Sequence, residues 1–197
     1  FFSYLPFATN QYIYKEIACE KKYDVSFVGS WSLKRQKILE QLGQRGIKID
    51  LFGDAKWAQT ALANVVYHGF ADNRRECPLI YNSSRINLNI SNEQLKTSLP
   101  VRVFDVGACG AFLLCDEQQD AAAIFGENLI TYKDVDDLES KIHFYLANDE
   151  PRQRLARVFQ QLVLEDFTFE KKLQTLLDSL AESELPPKPV NLDEKQL

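Results

Sequence analysis

From Tyr23 onward, short runs of apolar β-formers take turns with helical patterns, and this alternation restricts the chain to a parallel sheet covered by helices on both faces. The strand runs fall at 25–28, 47–52, 65–67, 85–90, 111–115 and 128–132. The fourth is the clearest: Ile86, Leu88 and Ile90 lie on one side and Asn87 and Asn89 on the other, the period of two that a strand requires. Between the runs, 33–43 reads as a helix with Ile38, Leu39 and Leu42 on one face, stopped near Gly43 and Gly46. Further helical stretches are expected at 57–62, 73–83, 100–109 and 121–125. Asp134 reads as an N-cap with Asp137 three residues on, and Leu138, Ile142, Tyr145 and Leu146 follow at burial spacing. Helices at 151–164 and 169–181 close the pattern. The expected fold class is α/β, a Rossmann-like doubly wound parallel sheet.

The chain divides into three parts. Residues 1–22 are aromatic, carry one Pro and show no period, which suits a connector lying on a surface; 23–182 form the domain; 183–197 are Pro-rich and suit a flexible tail. The chain starts without Met and contains none, so it reads as a piece of something longer. A net charge of −5 argues against a nucleic-acid surface, which needs a dense excess of Lys and Arg. No apolar run reaches the roughly 18 to 20 residues of a transmembrane segment. Cys19, Cys77, Cys109 and Cys115 lack CxxC spacing and only two His occur, so no metal site is expected and the thiols read as those of a reduced, cytoplasmic protein.

A doubly wound sheet binds ligands at the carboxyl ends of its strands, where helix N-termini present free N–H groups to anions. After the first strand come Gly29 and Ser30, then a helix carrying Lys34 and Arg35. A small Gly-Ser turn admits a diphosphate and a first-turn cation neutralises it; the alternative is a tight turn with a Ser cap. The turn is neither GxGxxG nor GxxxxGK[ST], which disfavours a dinucleotide or P-loop site. After the third strand come His68, Gly69 and Phe70, where Gly allows close backbone approach and an aromatic can flank a base. Arg102 and Asp105 lie one turn apart in the helix that opens at Pro100. Arg suits a phosphate and a carboxylate suits ribose hydroxyls; the alternative is an i,i+3 salt bridge on a solvated face.

Taken together, DVSFVGS, HGF, IYNSSRINLNI, VRVFDVGACGAFLLCD, FGENLITYKDVDDLESKIHFYLAND and the late ED-F-T-F-E resemble the CgeB-like glycosyltransferases, a GT-B group. The likeness runs from about Tyr23 to Leu180, and LPFATN looks like the family's interdomain connector. It implies the C-terminal, sugar-nucleotide-binding half of a GT-B enzyme. The substrate would be a nucleoside diphosphate sugar, with no separate cofactor and no metal, and an N-terminal GT-B domain would supply the site for an unidentified acceptor. The family's R-x-F-E-x-x-A-C-G appears here with Arg102, Val103 and Asp105 at its first, second and fourth positions, so Asp105 stands where a Glu usually holds the ribose. Gly29 and Ser30 match the diphosphate turn, and Gly69 and Phe70 the loop beside the base. Thr97 stands where related enzymes place a Glu on the donor sugar. Two other classes stay open: a noncatalytic module that kept the fold, and a nicotinamide-binding oxidoreductase domain.

Overall fold

The computed structural model of the chain describes residues 5–92 and 97–182. The tail at 183–197, expected to be a flexible end, lies outside the described residues. The elements in order are β1 (Tyr23–Val28), α1 (Leu33–Gln44), β2 (Ile49–Phe52), a 3-10 turn (Ala55–Gln59), β3 (Val65–Tyr67), α2 (Cys77–Ser83) and β4 (Ser84–Asn89). They continue with α3 (Val101–Ala108), β5 (Leu113–Asp116), α4 (Gln119–Phe125), β6 (Thr131–Tyr132), α5 (Val135–Ala147), α6 (Asp149–Asp166) and α7 (Phe169–Glu182).

All six strands pair in parallel in the order β3-β2-β1-β4-β5-β6. The chain builds outward from β1 to β3, then crosses back to lay β4 on the other side of β1. At that reversal the connections leave in opposite directions and open a crevice above the carboxyl ends.

Two cores form, one on each face. Phe27, Leu39, Leu42, Ile86, Leu88 and Ile142 fill the side covered by α1 and α5, and Phe104, Val106, Cys109, Phe159 and Val163 fill the side covered by α3 and α6. Each such side chain taken from water stabilises the fold by roughly 1.5–3 kcal/mol. The helix α5 starts where the cap signal puts it, with Asp137 N donating to Asp134 Oδ1 at 2.8 Å.

Three expectations are corrected. The stretch 57–62 does not form a helix: Asp54 caps a single 3-10 turn by accepting from Lys56 N at 3.0 Å, and Trp57 turns inward to full burial. One short turn cannot meet the cost of helix nucleation while its one large side chain is drawn into the core. The last strand is only Thr131–Tyr132, because Gly126–Asn128 forms another 3-10 turn, held by Asn128 Nδ2 donating to Phe125 O at 3.1 Å.

The opening segment is the third. Ala8 and Thr9 are buried, and Thr9 forms a parallel bridge with Thr168, its N donating to Phe167 O at 2.9 Å and its O accepting from Phe169 N at 3.0 Å. Part of the segment taken for a surface connector is therefore built into the domain.

The polar side of β4 is also inside. Asn87 and Asn89 are 2% and 0% exposed, and an inner network satisfies them: Asn87 Nδ2 donates to Tyr81 O and Phe112 O, each at 3.2 Å, and Asn89 Nδ2 to Asp116 Oδ1 at 3.1 Å. A buried amide without such bonds would cost about 1–3 kcal/mol.

Candidate functional site

A cleft of about 490 Å³ opens at the carboxyl ends of β1, β2 and β3, beside the N-terminus of α3. Its floor depends on glycine where the turns after β1 and β2 meet. A Cβ on Gly53 would lie 2.1 Å from Gly29 O and 2.8 Å from the Trp57 ring, so no side chain fits there. Trp57 Nε1 donates to Gly29 O at 2.8 Å, and Gly53 N to Gly69 O at 2.9 Å. Gly69 has φ +93°, a left-handed conformation that glycine adopts at little cost.

Of the residues singled out from sequence, Gly29, Ser30, Phe70, Arg102 and Asp105 line this cleft together. Phe70 is 73% exposed at the rim. Two amides of the Gly29 turn are already engaged, Gly29 N with Phe52 O at 2.8 Å and Trp31 N with Asp54 Oδ2 at 2.8 Å.

Arg35 does not line the cleft. It is 5% exposed, and its Nε donates to Ile90 O at 2.8 Å while Nη1 donates to Ser30 O and Oγ at 2.9 Å each. Burial, with the neighbouring Arg102 charge, pushes its pKa down to about 10. It therefore shapes the turn from beneath. Lys34, beside it, pairs with Asp116 at 3.0 Å. His68 stays off the cleft as well, its Nε2 2.7 Å from Asp50 Oδ1 and its ring stacked on Phe52 at 4.7 Å. Val103 is wholly buried in the core.

Arg102 sits over the Phe27 ring at 5.8 Å and donates from Nη1 to Asn89 Oδ1 at 3.4 Å. Asp105 is 7% exposed and accepts from Thr9 Oγ1 at 2.7 Å. Burial pushes its carboxyl up to about 7, against the Thr9 hydroxyl and the Arg102 charge, which lower it. Among the described residues no ion pair joins Arg102 to Asp105, so the i,i+3 bridge is not formed. Arg74 and Asp54 also line the cleft, and at the start of α3 it meets the Arg102 cation with the buried Asp105 carboxyl a turn deeper. Such a pair can receive a phosphate and a hydroxyl-bearing ring side by side.

Sequence reasoning missed Asn10, Ile13 and Tyr14 of the opening segment, Gly53 and Asp54 after β2, and Phe169 at the start of α7, all in the cleft wall. Gly53 was within reach: glycine follows β1 and β2 directly and β3 one residue later, at 29, 53 and 69. The opening segment carried no such signal. Thr97, outside the cleft, is exposed, and its carbonyl accepts from Asp120 N at 3.1 Å. Among the described residues no group of three or more His, Cys, Asp or Glu could hold a metal ion, and no helix is long and apolar enough to cross a membrane.

Among solved structures, the fold is similar to sucrose-phosphate synthase from Thermosynechococcus elongatus, with TM-score 0.71, 14% identity, and coverage of 90% of this chain and 52% of that one. It is similar to Anabaena HepE in complex with UDP, with TM-score 0.70, 17% identity, and coverage of 89% and 56%. It is also similar to a T4 phage BGT mutant in complex with UDP-glucose, with TM-score 0.67, 19% identity, and coverage of 87% and 51%. At these identities the likeness is one of fold: a Rossmann-like α/β domain of the GT-B type. The chain spans about half the length of the structures it matches. A search of curated proteins finds no match. The model of the family described as glycosyl transferase-like matches residues 34–178, most of the sheet and its helices. The chain therefore belongs to the glycosyl transferase-like family.

Proposed function

We propose that the cleft holds the nucleoside diphosphate of a sugar donor, and that the chain is the donor-binding half of a CgeB-like glycosyltransferase. The observation that carries this reading is the meeting of Gly29, Ser30, Gly53, Arg102 and Asp105 in one cleft at the switch point of the sheet. Arg102 and the first turn of α3 face the diphosphate and offset the charge that develops on it as it departs. Asp105 accepts from the ribose hydroxyls, Phe70 flanks the base, and Arg35 acts indirectly by holding Ser30. The sugar nucleotide is itself the substrate, and no separate cofactor enters the scheme. Two of the structurally similar proteins were solved with UDP or UDP-glucose, which supports a sugar nucleotide as the ligand.

In this reading a second, N-terminal GT-B domain brings the acceptor and completes the cleft in the cytoplasm. The helix α7 supports it: Phe169, Leu173, Leu176, Leu177 and Leu180 are each 43–57% exposed along one stripe, an apolar face that suits coverage by another body.

Calorimetric titration of the chain with UDP, ADP, GDP and NAD tests the reading. One of the diphosphates is expected to bind weakly, and no sugar to be transferred from UDP-glucose, because half a cleft cannot orient an acceptor. Turnover by this chain alone would overturn the two-domain reading. Preference for NAD would return the oxidoreductase alternative, and binding of none of the four would leave a noncatalytic module. Arg102→Ala is expected to weaken the diphosphate about tenfold, the loss of one charged hydrogen bond, while unfolding free energy changes by less than about 1 kcal/mol. Unchanged affinity would remove Arg102 from the site.

A further inference from the structure

We infer that Thr9, on the opening segment, is a positioning residue for the nucleotide: its hydroxyl orients the Asp105 carboxylate, leaving the second oxygen for the ribose hydroxyls. The inference rests on the reading of Asp105 as the ribose acceptor. Thr9 is wholly buried, and its backbone is held on both sides, by Phe167 O through its N and by Phe169 N through its O. Those two bonds fix the backbone of a β-branched residue that has few rotamers, and in the one it adopts Oγ1 faces Asp105 Oδ1, 2.7 Å away. The two residues are 96 positions apart, and the contact joins the opening segment and the α6–α7 junction to the helix that carries the site. Asn10, Ile13 and Tyr14 on one side of the bridge and Phe169 on the other line the same cleft, so this strap is part of the site wall.

The chemistry gives the hydroxyl a purpose. The charged and titratable groups around Asp105 are Arg102 on its own helix, Cys109 just past that helix's end, Tyr14 on the opening segment, and Cys77 and Tyr81 on α2. Arg102 is the only cation among these, and burial favours the neutral acid. A neutral carboxyl is a poorer acceptor for two hydroxyl donors than a carboxylate. By donating to Oδ1, Thr9 favours the ionised form, so its removal moves the Asp105 titration upward.

The test is calorimetry of UDP, ADP and GDP with the 197-residue chain at pH 7 and pH 9. Thr9→Val is expected to weaken the best-binding diphosphate about tenfold at pH 7, narrowing to less than about threefold at pH 9, where Asp105 ionises without help. Thr9→Ser keeps the hydroxyl and is expected to stay within about twofold of the parent at both. A loss equal at the two pH values would mark Thr9 as structural filler and overturn the inference, as would no loss at pH 7. Asp105→Asn separates the two levels: if it abolishes binding while Thr9→Val does nothing, only the inference fails, and if it binds as the parent does, the reading of Asp105 fails. Binding of none of the three diphosphates removes both. Should Thr9→Val not fold, carbon NMR of the parent decides. The Thr9 side-chain signal is expected to titrate with Asp105 and to shift on UDP addition, and a signal that does neither overturns the inference.

Discussion

Asp105→Asn is expected to weaken nucleoside diphosphate binding by about ten- to a hundredfold and, at pH 8, to make the protein more stable. The first effect is the loss of one charged hydrogen bond proposed to the ribose, worth roughly 1.5–3 kcal/mol. The second follows from the buried carboxyl, whose pKa rises from the ordinary 3.8 to about 7 in the fold. For an acid raised in this way, the stabilising form is the protonated one. Its contribution is fully present below the ordinary carboxylate value and is lost as pH rises through about 7. Asn is neutral throughout and still accepts from Thr9 through its Oδ1. The variant should therefore match the parent near pH 4, gain on it as pH rises, and lead by about 1–3 kcal/mol at pH 8, with no further gain above. Denaturant unfolding at pH 4, 6 and 8 checks the stability arm and calorimetry the binding arm. A stability difference that does not change with pH would mean that Asp105 is not held as a buried acid. A residue that destabilises the free protein in its working form is one kept for a ligand, which is the relation expected of a binding site.

Trp57→Ala is expected to cost about 3–5 kcal/mol of stability and to weaken the nucleotide as well. Trp57 is the largest wholly buried side chain, packed edge-on to Phe27 with centroids 6.2 Å apart. Its indole also closes the floor of the cleft: Nε1 holds Gly29 O, and the ring occupies the space beside Gly53 where no Cβ fits. Truncation leaves a cavity and an unpaired carbonyl at the Gly29 turn, the turn proposed to face the diphosphate. Trp57→Phe fills most of the cavity but keeps the carbonyl unpaired, so it should lose about 1–3 kcal/mol and retain part of the binding deficit. Unfolding curves and calorimetry on the two variants separate packing from the hydrogen bond. A loss below about 1 kcal/mol for Trp57→Ala, with affinity unchanged, would show that the indole does not set the floor.

The grouping of Gly29, Ser30, Phe70, Arg102 and Asp105 was implied by the family resemblance, whereas the order of strands and helices and the cap at Asp134 could be argued from the chain alone. Those features rest on patterns that repeat within a few residues, set by the backbone periods of helix and strand and by hydrogen bonds to a neighbouring turn. The general place of a ligand followed from the handedness of the parallel crossover.

What no local pattern could decide was which distant segment covers which residue. Arg35 and Arg102 both look like cations near helix starts, and only the packing of Ile90 and Ser30 against Arg35 turned that one inward. Asn87 and Asn89 alternate like a solvated face, yet other elements cover them and supply their hydrogen bonds. Trp57 left its helical pattern because the core beneath Gly29 had room for an indole. The state of Asp105 depends on Thr9, 96 residues away, and on water excluded by the opening segment and the α6–α7 junction. Desolvation is a property of everything that surrounds a group in space, and the chain order around Asp105 carries almost none of it.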